Sequence, residues 1–321
     1  AADIEFDAGQ WRIGRIVAGD AWDPEASSPL AGPGLGVGPG DALLAVGGQP
    51  VDPRLGPGPL LVHQADQFVD LTVAGRDGAG PRRITVKALS DERPARYREW
   101  VERNRRIVHE ATDGRIGYLH IPDMGIDGFA EFHRGFLGEF DRSGLVVDVR
   151  FNGGGFVSAL LLEKLARRRI GGDVSRWLPP IPYPQESPAG PMICLTNEQA
   201  GSDGDIFTHA FSLLGLGTVV GLRTWGGVIG ISADVRLADG TITTQPEYAF
   251  WFADVGFGLE NHGAEPDVEV DIAPHEYAAG LDPQLEKAIE LAEAALTEHR
   301  PYAPDLSARA NLAAAPLPAR A

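Results

Sequence analysis

Leu145-Val-Val-Asp-Val-Arg-Phe-Asn-Gly-Gly-Gly-Phe-Val-Ser158 is a short apolar run that ends in three glycines. A run of that length bounded by a glycine turn reads as a buried strand, Leu145 to Phe151, and the residues from near Val157 to Arg169 read as the helix after it. The same unit recurs on both sides. Arg115-Ile-Gly-Tyr-Leu-His-Ile121 predicts a buried strand followed by a helix near Gly128 to Phe140. Pro191-Met-Ile-Cys-Leu-Thr196 predicts a strand followed by a helix from near Ser202 to Leu214, and Thr218-Val-Val-Gly-Leu-Arg223 predicts another strand. Strands and helices alternating in this way imply α/β layering with a largely parallel sheet. Val235 to Phe252 reads as a hairpin turning at Ala238-Asp239-Gly240, and Asp282 with Pro283 opens a last amphipathic helix to about His299.

Upstream the pattern is different. From about residue 10 to 90, short apolar runs alternate with Gly/Pro turns, as in small β-rich modules. The segment from Ser28 to Val51 carries Gly40-Asp41, then the apolar strand Ala42-Leu-Leu-Ala-Val46, then the tight Gly47-Gly48 turn. It resembles the signature of PDZ domains, in which this run precedes a peptide-binding helix. Between the two parts, Tyr97, Trp100, Val101, Ile107 and Val108 fall on one face of a charged helix. The expected division is a PDZ-like domain over 1–91, a linker helix over 92–114, an α/β domain over 115–300 and a disordered Ala/Pro-rich tail over 301–321.

The 321 residues include 28 basic and 45 acidic side chains, for a formal charge of −17. That balance repels phosphate backbones and anionic membrane surfaces, so neither nucleic acid nor membrane is expected as a partner. A single cysteine, Cys194, leaves no intrachain disulfide and sits in an apolar run as a small core residue. No apolar stretch reaches 18 residues, and Ala1-Ala-Asp-Ile-Glu-Phe-Asp7 has neither the basic nor the apolar part of a signal peptide, which points to a cytoplasmic protein. The histidines and acids form no HExxH-type pair, so no metal and no cofactor is expected.

Two hydrophilic turns follow buried strands, where α/β proteins place their chemistry. Asn152-Gly-Gly-Gly155 opens a helix with free amides suited to an anion, whether phosphate or oxyanion, but lacks the Gly-Lys-Ser/Thr ending of a phosphate loop. Asn197-Glu-Gln-Ala-Gly-Ser-Asp-Gly-Asp205 places Ser202 at a helix start, where the dipole stabilises developing negative charge. Serine is also a favoured N-cap, its commoner role. A Gly-Ser-x-Gly turn beside a Gly-Gly-Gly loop shifts the balance toward a nucleophile.

These segments, with Gly117-Tyr-Leu-His-Ile-Pro-Asp-Met124, Arg223-Thr-Trp-Gly-Gly-Val228 and Glu260-Asn-His-Gly263, resemble tricorn protease and its bacterial homologues over nearly the whole chain. The resemblance implies a PDZ-like domain followed by a crotonase/Clp-like α/β domain of the C-terminal processing peptidase type. It also implies a serine endopeptidase acting on peptides. Ser202 matches the nucleophile, and the amides of Gly155 and Asp203 match the oxyanion hole. Glu260 matches the acid that supports the base through an intervening serine. Asp173 matches the acid that selects basic side chains, lent in that family by a neighbouring subunit, so a homo-oligomer is implied. On the residues alone, Glu260 reads as a surface acid before a turn and Asp173 as a helix-end loop carboxylate. The family's general base is a histidine in a Ser-His pair, and none of the eight histidines stands in a matching context. An upstream domain or a separate chain is therefore expected to supply it, with His262, two residues from Glu260, held in reserve. The rival readings are a non-catalytic peptide-binding PDZ scaffold and, more weakly, an acyl-CoA enzyme of the crotonase group.

Overall fold

A computed structural model describes residues 1–298 except Asp77 and Ala79, together with Asp305, Ser307 and Ala313. Apart from those three residues, the tail expected over 301–321 lies outside the described residues. The chain divides into two compact units, Ala1–Asn104 and Arg105–Ala321.

In the first unit, β1 (Ala2–Asp7), β2 (Gln10–Ile16), β3 (Ala42–Val46), β5 (Phe68–Ala74) and β6 (Arg82–Lys87) form an antiparallel sheet in the order β1-β2-β3-β5-β6, with β4 (Gln49–Pro50) paired to β3. The strands obey the period of two: β5 buries Val69, Leu71 and Val73 and leaves Phe68 exposed. These side chains meet Leu43, Val46 and Ile84 in one core. The carboxylate of Asp41 receives the amides of Gly38 and Arg76 at 3.3 Å each and pairs with Arg82, which explains why an acid precedes β3. The helix expected after the PDZ-like signature is a single turn, α1 (Gly58–Leu61), which Pro57 and Pro59 open and which ends where Val62 takes an extended conformation.

After α2 (Arg93–Ala111), the second unit reads β7 (Ile116–His120), α3 (Ile126–Glu139), β8 (Gly144–Asp148), α4 (Ser158–Leu165), β9 (Gly171–Asp173), β10 (Ile181–Tyr183), β11 (Met192–Thr196), α5 (Asp203–Leu213), β12 (Gly217–Gly221), β13 (Gly230–Arg236), β14 (Ile242–Tyr248), β15 (Val268–Glu269), α6 (Pro274–Ala279) and α7 (Pro283–Glu298). Five strands make one all-parallel sheet, ordered β15-β12-β11-β8-β7. Every residue of β7, β8 and β11 is buried, as a parallel sheet covered on both faces demands. Phe132 and Phe136 of α3, Leu161 and Leu165 of α4, and Phe207 and Phe211 of α5 join Val147, Cys194 and Val219 in the main core. The other cover is α7, which buries Leu285, Ala288, Ile289 and Ala292.

Several boundaries differ from expectation. The strand predicted to Phe151 ends at Asp148, whose own carboxylate takes the Arg150 amide at 3.0 Å and bends the chain, with Phe151 at a positive φ of 62°. The helix predicted to Arg169 stops at Leu165, and the chain turns instead into a hairpin of β9 with β10, so that Asp173 lies on a strand. The second hairpin turns where expected, but its first strand begins at Gly230.

One buried charge organises the far end of the β8 strand. Arg150 is 2% exposed; its guanidinium meets Asp148 at 2.7 Å, Asp282 at 2.9 Å and Gln284 at 3.2 Å. Tyr118 donates to the same Asp148 at 2.8 Å, and a ring nitrogen of His120 bonds the Arg150 carbonyl at 2.8 Å. Burial alone would push the Asp148 carboxyl up, but the Arg150 charge and hydrogen bonds hold it below the usual carboxylate range. Its stabilising contribution is therefore present above the ordinary Asp value and disappears as pH falls through the depressed one. Asp148→Ala leaves the guanidinium buried without its main counter-charge and is expected to lower the unfolding free energy by about 3–5 kcal/mol at pH 7. Urea denaturation checks this, and the gap to the parent chain should narrow as the Asp148 carboxyl becomes protonated.

Candidate active site

Because β8 and β11 are parallel neighbours, the turns that leave them lie at the same end of the sheet. Two buried asparagines tie those turns together. Asn152 accepts the Gly201 amide on its main-chain oxygen at 3.0 Å and the Gly154 amide on its side-chain oxygen at 2.9 Å, and its amide group donates to Ile121 at 2.8 Å. Asn197 takes the Phe151 amide at 2.9 Å.

The result is direct contact between the glycine loop and the serine. Gly154 has a φ of 77°, and a methyl group there would fall 2.6 Å from the Cβ of Ser202. At Gly155 a methyl group would come within 2.1 Å of the Met124 carbonyl oxygen, so this loop tolerates no side chain at either position. Ser202 itself has a φ of 55°, a strained conformation for a residue with a side chain. It sits at the N-cap of α5, yet its hydroxyl makes no capping hydrogen bond. The N–H groups of Gly155 and Asp203 find no acceptor among the described residues. The structure thus brings together Ser202, Gly155 and Asp203: a hydroxyl beside two unengaged amides at a helix N-terminus.

The side chain of Asp203 has a separate task that the sequence reading missed. It is buried and accepts the backbone amide of Ser158 at 3.0 Å and its hydroxyl at 2.5 Å, capping α4 and joining the starts of two helices. Asp205, two residues further along α5, was also missed. It is fully buried and takes the Gly226 amide at 2.7 Å; burial pushes its carboxyl up, against the pull of the Thr224 hydroxyl and the Gly226 amide. The second acid of Gly-Ser-Asp-Gly-Asp was the available signal.

Glu260 reaches this region through one intervening segment. Its carboxylate receives the amides of Val228 and Ile229 at 2.7 and 2.8 Å, while Trp225 of the same segment donates its amide to Ala200 at 3.0 Å. Asp173 is exposed on β9, and among the described residues no hydrogen bond or ion pair joins it to the Ser202 turn. No histidine among the described residues does so either: His262 pairs with Glu265 at 3.2 Å, His209 with Asp254 at 3.1 Å, and His120 faces Arg150. No group of three His, Cys, Asp or Glu side chains among the described residues is placed to hold a metal. In the first unit, an apolar cavity of about 450 Å³ lies against Ile4 of β1, Leu43, Val69 and Leu71.

Residues 1–91 match the tricorn protease PDZ domain model, and residues 115–270 match the model of peptidase family S41. Tricorn protease homolog 1 of Streptomyces coelicolor is 54% identical over 298 residues, covering 92% of this chain and 28% of that protein. The chain belongs to the tricorn protease family. The tricorn protease of Thermoplasma volcanium is 47% identical over 94% of this chain and 29% of its own length. A crystal structure of tricorn protease superimposes with a TM-score of 0.87 at 47% identity, over 92% of this chain and 29% of that one. The chain therefore spans under a third of the length of these relatives. Within that span it carries the PDZ-like β domain and the α/β domain of a serine peptidase family.

The glycine loop offers a sharp mutational contrast. Gly153→Ala meets nothing within 4 Å and is expected to cost less than about 0.5 kcal/mol. Gly154→Ala must move Ser202 or the loop and is expected to cost roughly 1–3 kcal/mol. Thermal melting of the two variants side by side checks the difference.

Proposed function

We propose that this chain is the PDZ and nucleophile-bearing part of a tricorn-type serine endopeptidase that cleaves peptides. The observation that carries the reading is the contact of Gly154 with Ser202 beside the unengaged amides of Gly155 and Asp203. In this mechanism the Ser202 hydroxyl attacks the scissile carbonyl, and the two amides hold the oxyanion as it forms. A histidine from outside residues 1–321, in an upstream domain or a separate chain, takes the hydroxyl proton. A serine without a positioned base is a poor nucleophile at neutral pH. Glu260, fixed by the Val228 and Ile229 amides, supports that base through its partner serine.

Asp173 selects lysine or arginine before the cleaved bond, and its exposed place on β9 suits an acid donated to a neighbouring subunit. A homo-oligomer also accounts for the apolar side chains left in water on the two hairpins, among them Val174, Trp177, Leu178, Ile231 and Ile242. The net charge of −17 fits a peptide enzyme of the cytoplasm that avoids nucleic acid and membrane. No helix among the described residues is long and apolar enough to cross a membrane. The second reading, a non-catalytic peptide-binding scaffold, draws on the apolar cavity beside edge strand β1.

A fluorophosphonate separates the two readings: slow labelling confined to Ser202 and lost in Ser202→Ala is expected of the peptidase, and no labelling of the scaffold. Turnover of a fluorogenic arginine peptide by this chain alone should stay near the buffer rate, and rise by several orders of magnitude when a Ser-His-bearing segment is supplied. Robust turnover by the chain alone, abolished by Ser202→Ala, would place the base within it and make His262 the first residue to replace.

Specificity gives an independent check. A charge-assisted contact contributes about 1.5–3 kcal/mol, or roughly a tenfold to hundredfold preference in kcat/KM. With the base supplied, Asp173→Asn is expected to depress cleavage after Arg and Lys by that factor and to leave cleavage after apolar residues nearly intact. Equal loss on both substrates would assign Asp173 to folding or assembly instead.

A further inference from the structure

Trp225 is 66% exposed, although the residues around it are fixed to the protein on every side. Its own amide donates to Ala200 at 3.0 Å, the Gly226 amide donates to buried Asp205 at 2.7 Å, and the Gly226 carbonyl accepts from Asn261 at 2.7 Å. The indole is seated on glycine backbone. A methyl group at Gly201 would fall 2.8 Å from its Cε3, and one at Gly227 would fall 2.4 Å from its Cζ3. Gly201 immediately precedes Ser202, so one edge of the ring lies a single residue from the hydroxyl.

Leaving a tryptophan this exposed forgoes the hydrophobic stabilisation that burial gives. Holding it there also requires a carboxylate removed from water, which is unfavourable in itself. A rigid, exposed aromatic ring whose backbone is pinned in advance has the properties of a binding anchor, since little conformational freedom remains to be lost when a ligand covers it. We propose that Trp225 is a specificity-determining residue whose indole receives an apolar side chain of the bound peptide next to the cleaved bond. The proposal rests on the peptidase reading of Ser202, because that reading puts the peptide there. A peptide whose carbonyl is held by the Gly155 and Asp203 amides advances at most about 3.3–3.6 Å per residue. The residue flanking the bond is thus within reach of the ring over Gly201.

Binding precedes proton transfer, so the test needs no turnover. Calorimetric titration of the whole chain with Ac-Ala-Phe-Arg-Phe-Ala-NH2 and Ac-Ala-Gly-Arg-Gly-Ala-NH2 compares two peptides that share the arginine and differ only in the flanking side chains. The phenylalanine peptide is expected to bind about tenfold more tightly. Trp225→Ala should abolish that difference while binding of the glycine peptide changes less than twofold, and Trp225→Phe should keep most of it. Circular dichroism melting should be nearly unchanged, because the ring is exposed. A preference that survives Trp225→Ala, or an equal loss on both peptides, overturns the proposal. If Ser202 is labelled by the fluorophosphonate while the two peptides bind alike, the inference about Trp225 falls and the serine reading stands. If Ser202 is unlabelled and neither peptide binds, both fall together.

Discussion

The chemistry of the second unit hangs on Asn152, a fully buried side chain at the head of a glycine loop. Its main-chain oxygen holds Gly201 and its side-chain oxygen holds Gly154, so one residue sets the spacing of two turns that arise on different strands. A buried amide left unpaired would cost about 1–3 kcal/mol, and here all three of its named bonds stay within this junction and the neighbouring Ile121. Remove that clamp and Gly154 has no reason to lie on Ser202. The strain at Ser202, which has a positive φ, then has nothing to hold it in place.

Behind the junction stand two carboxylates pushed in opposite directions. Asp148 is buried, but the Arg150 guanidinium keeps it ionised, and its stabilising effect belongs to neutral pH. Asp205 is buried with hydrogen bonds and no cation, and its carboxyl is shifted up. With the folded value raised, its contribution has the opposite sign: it favours the folded state at low pH and fades as pH rises through the shifted value. The first acid anchors the sheet to α7 through Asp282. The second holds the Trp225–Gly226 segment against the Ser202 turn. A structural ion pair and a positioning acid thus differ by whether a cation shares the burial.

The backbone around the glycine loop shows why those residue types occur together. Met124 exchanges bonds with Gly154 and Phe156, and any side chain at Gly155 would strike its carbonyl. Asp203 caps α4 with its side chain, while its own amide, at the first position of α5, has no acceptor among the described residues. Each polar group that is engaged elsewhere thereby leaves a defined set unengaged, and the proposed oxyanion hole consists of that remainder.

Much of this was legible from residue order. The parallel α/β sheet followed from apolar runs alternating with helix-length segments, because strands covered on both faces must be apolar throughout. The β-rich first part followed from period-two patterning and Gly/Pro turns, and the serine turn and glycine loop stood out because each closes a buried strand. What residue order left open depends on contacts between segments far apart in the chain. The short β8 strand, the β9–β10 hairpin that carries Asp173, the two jobs of Asp203 and the exposure of Trp225 are such cases. Asp148 takes both the amide and the guanidinium of Arg150, whose other acid, Asp282, is far along the chain, and the Trp225 ring occupies space that a side chain at Gly201 or Gly227 would need. Local propensity and hydrophobic period act over a few residues and so are written in the sequence, whereas hydrogen-bond satisfaction and close packing act between surfaces that only the folded chain brings together.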